Sequence, residues 1–341
     1  MAELPLGRIA FGRWASDDQH VGEELVICRT AEHEIEVHCH GGQAAIEAIR
    51  RSLLQAGCIA TTWQDLASTQ QRESIETEAR IALAEAPTER TAAILLDQMH
   101  GALREALESV SIDVAAGRID AARETLMELG ARTESGLHLT TPFSVVLAGP
   151  PNVGKSSLIN AILGYSRSIV FDQPGTTRDV LTALTALEGW PVEFSDTAGL
   201  RVSSDDIEQQ GVAAARQRMQ ESDLVVLVGD ASQPMMSEES QMIAEFPHAM
   251  LVENKCDLKR SDERTTRSTF SVSAVTGTGV RELMREIVQR LVPVELAPGS
   301  AVPFTARQCR GIAEAIAALD GDPAAARTAI DRLLATAAEP C

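Results

Sequence analysis

Residues 143–163, FSVVLAGPPNVGKSSLINAIL, decide the architecture. FSVVLAG has the apolar, β-branched character of a strand, SLINAIL has the character of a helix, and a glycine-bounded turn joins them. Further β-like runs follow at 181–187, 192–194, 224–228, 250–252 and 269–272, with helical stretches between several of them. The expected fold class is α/β, an open and mostly parallel sheet with helices on both faces.

Upstream of that sheet the pattern changes. Residues 75–130 are rich in Ala, Glu and Leu; Leu96, Met99, Leu103, Leu107 and Val110 mark one apolar helical stripe, and Ile119, Ala122, Leu126 and Leu129 a second. Downstream, a Pro-rich stretch at 293–303 gives way to Ala-rich helical character from Arg307 onward. The sheet is therefore expected to be inserted into an α-helical domain built by both flanks. At the start, GEELVICRTAEHEIEVHCHGG (22–42) holds two β-like runs, 25–28 and 35–38, ended by Gly41-Gly42, and a helix carrying Ala45, Ile46, Ile49, Leu53 and Leu54 runs to Gly57. The expected division is a small α+β domain at 1–57, the first helical half at 58–140, the α/β domain at 141–292 and a shortened second helical half at 293–341.

The 341 residues carry 30 Lys+Arg against 49 Asp+Glu, a net charge of -19. Such a surface repels a phosphate backbone at long range, so any RNA contact is expected to be local or supplied by a partner. No run approaches the roughly 18 apolar residues of a membrane span, and the N-terminus has no signal-peptide pattern; a cytoplasmic protein without membrane contact is expected. The six cysteines form no Cys-x-x-Cys pair, which argues against a zinc ribbon or a disulfide framework.

The turn itself, Gly149 to Ser156, fits Gly-x-x-x-x-Gly-Lys-Ser directly between strand and helix. Consecutive backbone N–H groups and a helix N-terminus converge there on one anion, and the glycines let the main chain approach it. Asn152, Val153, Gly154, Lys155, Ser156 and Ser157 are the expected phosphate contacts, with Lys155 at the β- and γ-phosphates and the Ser156 hydroxyl on Mg²⁺. Asp172-Gln173-Pro174-Gly175-Thr176-Thr177 then supplies hydroxyls for a loop over the γ-phosphate, Thr176 toward nucleotide and Thr177 toward the metal. Asp196-Thr197-Ala198-Gly199 adds a carboxylate near Mg²⁺ and a glycine N–H at the γ-phosphate. Asn254-Lys255-Cys256-Asp257 selects guanine, because the Asp257 carboxylate accepts from both the ring N–H and the exocyclic amine that adenine lacks. Ser273-Ala274 brings a backbone N–H to the guanine carbonyl. GTP is the expected substrate.

These motifs resemble the Era/Der/TrmE branch of GTPases and, within it, the family of tRNA modification GTPases called MnmE or TrmE. Glu36-Val37-His38-Cys39-His40-Gly41-Gly42 is similar to the end of that family's N-terminal domain, and SIETEARIALAEAPTERTAAILLDQMHGALREALE (74–108) to the first half of its split helical domain. In the family, a hydrophobic residue replaces the water-orienting glutamine of Ras-like proteins, and here it is Leu200. The resemblance implies catalysis by a downstream glutamate, Glu208, together with Lys155 and Thr177. It also implies a K⁺ ion held by the Asn152 side chain and the backbone of Phe171 and Gln173, and a homodimer pairing through the nucleotide faces of the G domains. A flavoprotein partner of the MnmG type and a role in tRNA wobble-uridine modification, with tRNA held mainly by that partner, are implied as well.

The family's formyl-tetrahydrofolate site is not expected, because CIATTWQDLASTQQR (58–72) stands where its motif belongs. In place of the family's Cys-Ile-Gly-Lys ending the chain has Ala338-Glu339-Pro340-Cys341. A reduced GTP/GDP switch without folate or tRNA chemistry is the alternative reading.

Overall fold

The computed structural model describes residues 4–14, 23–63, 74–165, 182–196, 215–262 and 270–335, in two compact units, Met1–Gln70 and Gln71–Cys341. In the first unit β1 (Ile9–Trp14), β2 (Glu23–Ala31) and β3 (Glu34–Cys39) form an antiparallel sheet in that order. Helix α1 (Gln43–Gln55) follows the Gly41-Gly42 break and buries Ala45 and Ile49. It stops before Gly57, which has φ 91°. The two sequence-expected strands and the helix are present, whereas β1 is an addition. Ile9 and Phe11 face outward at 70% and 71% exposure, while Ala10, Gly12 and Trp14 take the more enclosed face, so large apolar residues fall on both faces and the alternation that marks a half-buried strand is lost.

The second unit begins with α2 (Ile75–Glu85), α3 (Glu89–Met99), α4 (Ala102–Ala115), α5 (Ile119–Ala131) and the short α6 (Thr133–Leu137). Ser74 caps α2 by accepting the Thr77 amide, and Thr88 with Thr91 forms a capping box on α3; such caps satisfy amides that the first helical turn leaves unpaired. The expected single stripe from Leu96 to Val110 is corrected. The chain breaks at Gly101 (φ 106°), which resets the helical phase, so Leu95 is buried and Leu96 is 39% exposed. Leu103, Leu107 and Val110 keep their place in the core, as do Ala122, Leu126 and Leu129.

A six-stranded sheet follows: β4 (Phe143–Ala148), β5 (Thr182–Leu187), β6 (Trp190–Asp196), β7 (Leu224–Asp230), β8 (Met250–Asn254) and β9 (Phe270–Ser271), in the order β5-β6-β4-β7-β8-β9. All pairings are parallel except β5–β6. Alternate residues of the central strands feed two cores, with Val145, Leu147, Val226 and Val228 on one face and Val146, Ala148, Val225 and Leu227 on the other. Burial on both faces is why these strands read as continuous apolar runs. Helices α7 (Lys155–Tyr165) and α9 (Val280–Leu291) cover the first face, and Met242 and Ile243 of α8 (Ser237–Glu245) pack on the second.

After the sheet, the chain returns to the first helices through α10 (Ala306–Leu319) and α11 (Pro323–Leu334), α10 beside α5 and α11 beside α4. The return is stitched by side chains. Gln98, fully buried, donates to the Ser300 carbonyl at 3.0 Å and accepts from the Val302 amide at 3.0 Å. Arg307 donates to both carboxylate oxygens of Glu78 at 2.9 and 2.8 Å, and Ser111 donates to Asp331 at 2.8 Å.

Candidate nucleotide-binding site

The site gathers at the C-terminal ends of β4, β6, β7 and β8, where open α/β sheets place their ligand crevice. Between β4 and α7 the loop takes positive φ at Gly149 (144°), Asn152 (65°) and Gly154 (96°). A Cβ at Gly149 would collide with the Val228 carbonyl oxygen, and one at Gly154 with the Asn254 carboxamide. Both positions therefore require glycine, while asparagine is among the few other residues that tolerate a left-handed backbone. Repeated changes of φ sign curl a backbone into the concave shape that holds anions. Lys155, 5% exposed, donates to the Gly149 and Pro150 carbonyls, each at 3.0 Å.

At the end of β6, Asp196 is 2% exposed and its carboxylate accepts the Ser156 hydroxyl at 2.5 Å. A hydroxyl and a carboxylate beside an anion-binding loop form an all-oxygen donor set, and hard oxygen donors are what Mg²⁺ takes. These residues fit that ion.

The other end is organised by Asn254. Its carboxamide donates to the Val153 carbonyl at 2.9 Å and accepts from the Ala274 amide at 3.0 Å, while the residue is 2% exposed. One buried side chain thus joins the phosphate loop to the loop after β9. Lys255 (φ 64°) donates to the Asn152 carbonyl at 2.8 Å and to Asp230 Oδ2 at 2.6 Å. Burial raises the Asp230 carboxyl, but Lys255 and the Ser232 hydroxyl and amide outweigh it, and the net displacement is downward. Burial and the neighbouring Asp257 charge push the Cys256 thiol up. Asp257 is exposed. Ser273 is fully buried; its hydroxyl accepts the Thr276 amide at 3.1 Å and its carbonyl accepts the Gly277 amide at 2.8 Å, so the Ser273–Thr278 turn is held from within.

Of the sequence-expected residues, Asn152, Val153, Gly154, Lys155, Ser156, Asp196, Asn254, Lys255 and Ala274 fall into this one bonded constellation, and Ser157, Asp257 and Ser273 lie on the same loops. Phe171, Gln173, Thr176, Thr177, Gly199, Leu200, Glu208 and Cys341 lie outside the described residues. Asp230 is the residue sequence reading missed. The available signal was its place at the end of the apolar run LVVLVGD, on a strand between two that carry motifs.

A protein-family profile described as 50S ribosome-binding GTPase matches residues 144–255. The tRNA modification GTPase MnmE of Geobacter sulfurreducens is 33% identical over 298 residues, covering 77% of this chain and 65% of the relative. That of Heliobacterium modesticaldum is 30% identical over 323 residues, 81% of this chain and 69% of the relative. That of Xanthomonas campestris pv. campestris is 37% identical over 246 residues, 71% of this chain and 50% of the relative. The chain thus spans between 50% and 69% of the length of these curated relatives. Among solved structures, Aquifex aeolicus Era bound to GDP and aluminium fluoride aligns at 26% identity over 46% of this chain and 59% of that chain, with a TM-score of 0.35.

Proposed function

Since the chain belongs to the MnmE family of tRNA modification GTPases, we propose that it binds Mg²⁺ and GTP at this constellation and hydrolyses the γ-phosphate bond. The observation that carries the reading is Asn254, which ties the phosphate loop at Val153 to the guanine loop at Ala274. Gly154, Lys155, Ser156 and Ser157 bind the phosphates, with Asn152, Val153 and Thr176 beside them and Gly199 at the γ-phosphate. Ser156, whose hydroxyl donates to Asp196, and Thr177 would hold Mg²⁺, which would supply positive charge against that developing on the phosphates. Asn254, Lys255, Asp257, Ser273 and Ala274 select guanine. Lys155 and Thr177 take part in catalysis, and Glu208 orients the attacking water, a task Leu200 is chemically unable to perform.

The same reading assigns a K⁺ ion to Asn152 and to the backbone of Phe171 and Gln173. Asn152 suits the role: its side chain is exposed on a left-handed turn while its carbonyl is engaged by Lys255. In this reading K⁺ supplies the positive charge given elsewhere by an arginine finger. Pairing of two chains through their G domains, an MnmG-like flavoprotein partner, tRNA wobble-uridine modification and a cytoplasmic location complete the proposal. The division into 1–57, 58–140, 141–292 and 293–341 belongs to it too, supported by the Glu78–Arg307 tie between the flanks of the sheet. Among the described residues no helix is long and apolar enough to cross a membrane.

Competition binding tests the nucleotide reading. GTP and GDP should displace a labelled GDP while ATP does not, and Asp257→Asn should abolish that preference; equal displacement by ATP sinks the reading. Mass spectrometry of tRNA wobble uridines after gene deletion tests the modification role. Unchanged uridines would favour the GTP/GDP switch without folate or tRNA chemistry, which the replaced segment at 58–72 already supports.

A further inference from the structure

The turn Glu188-Gly189 joins β5 to β6, with Leu187 paired to Trp190 across it. Both turn residues have positive φ, 49° and 84°, as a tight two-residue hairpin requires. The N-terminus of α3 holds its tip. Thr88 Oγ1 donates to the Gly189 carbonyl at 2.6 Å and accepts the Thr91 amide at 3.2 Å, so one buried hydroxyl caps the helix and grips the hairpin. Arg90 donates to the Glu188 carbonyl at 3.0 Å, and its guanidinium lies 5.3 Å from the centre of the Trp190 ring. The fit is close: a Cβ on Gly189 would stand 2.8 Å from the Arg90 Cβ. Trp190 is itself buried, edge-on to Phe143 with ring centres 6.0 Å apart.

From Trp190, β6 runs between β5 and β4 and is bonded to both. It ends at Asp196, the residue that accepts the Ser156 hydroxyl. One end of this strand is therefore fixed to the helical layer and the other to the proposed metal site. A strand bonded on both sides moves along its axis as a unit, since slippage would break two ladders at once.

We propose that Thr88 and Arg90 are positioning residues for the nucleotide site: by gripping the Glu188-Gly189 tip they set the axial position of β6, and with it the place of Asp196 beside Ser156. Occupancy of the site is then felt in the helical layer through the same contact. The proposal rests on the Mg²⁺ and nucleotide reading above.

The test uses the full chain and measures the Mg²⁺ concentration that half-maximally slows release of a fluorescent GDP, alongside the melting temperature. Arg90→Met and Thr88→Val should each raise that concentration about five-fold, the lower range of ordinary coupling between sites. Thr88→Ser keeps the hydroxyl and should restore the wild-type value. Arg104→Met breaks the ion pair to Glu76 elsewhere in the helices; it should lower the melting temperature without moving the Mg²⁺ dependence. If Arg90→Met lowers only the melting temperature, or if Thr88→Ser behaves as Thr88→Val, the proposal is overturned. Arg90→Met carries the test alone should Thr88→Val not fold. Failure of the wild-type chain to bind GDP would instead remove the nucleotide reading beneath it.

Discussion

The sheet of β4–β9 and the sheet of β1–β3 use similar apolar residues to different effect. In the larger one, β7 is buried at every residue and the strands beside it feed cores on both faces. In the smaller one, Leu25 is the buried strand residue among those described, while Ile9 and Phe11 lie open. Close packing on two faces holds β7 and β8 in place, and Asp230 and Asn254 stand at the ends of these two strands. The difference teaches where precision comes from: Asp230 and Asn254 are located by the burial of the strands behind them, whereas Asp196 ends β6, whose second face carries the exposed Glu193.

The comparison breaks if truncation costs the same in both sheets. Trp190→Ala, at a residue 1% exposed, should cost about 3–5 kcal/mol in urea unfolding followed by far-ultraviolet circular dichroism. Asn254→Ala leaves the buried Val153 carbonyl and Ala274 amide without their partner, and should cost about 1–3 kcal/mol by the same measurement, with a parallel loss of GDP affinity. A smaller effect is expected at the N-terminal end of β4. His138 stacks on Phe143 with ring centres 3.8 Å apart, and its Nε2 lies 3.4 Å from Asp223 Oδ1. Burial lowers the imidazole pKa, but Asp223 and the Thr141 and Pro142 carbonyls outweigh it, so the net shift is upward. The stabilisation from this raised pKa is fully present below the ordinary histidine value and is lost as pH rises through the raised one. Comparing thermal melts at pH 6 and pH 9, His138→Gln should destabilise more at the lower pH, by roughly 0.5–1 kcal/mol. Least of all, Phe11→Ser in the smaller sheet should stay within about 0.5 kcal/mol; a loss as large as that of Trp190→Ala would end the distinction.

The same contrast decides what was legible in the amino-acid sequence. Strands β4, β7 and β8 are readable because burial on both faces makes them continuous apolar runs. Strand β1 is not, since Ala10 and Gly12 share the more enclosed face with Trp14 while Ile9 and Phe11 take the open one. The misplacement of Leu96 comes from reading through Gly101, where the backbone turns left-handed and the helical phase restarts. At the site, the phosphate loop is legible because its chemistry is contiguous in sequence. The Asn254 bridge is not contiguous: it joins Val153, 101 positions away, to Ala274, 20 positions away. Thr88 meets Gly189 across 101 positions and Lys255 meets Asp230 across 25. Such pairings are made by strand order and by helix packing, which no local pattern encodes.

The Glu78–Arg307 pair joins residues 229 positions apart, with the whole six-stranded sheet between them in the chain. During synthesis, α2 to α5 emerge with their apolar stripes facing helices that have not yet been made. At about 5–20 residues per second the wait is roughly 10–45 s, far longer than hydrophobic collapse requires. A nascent chain of this protein therefore carries an open greasy surface throughout the folding of its G domain. Its dependence on chaperones should be greatest just before residue 307 leaves the ribosome.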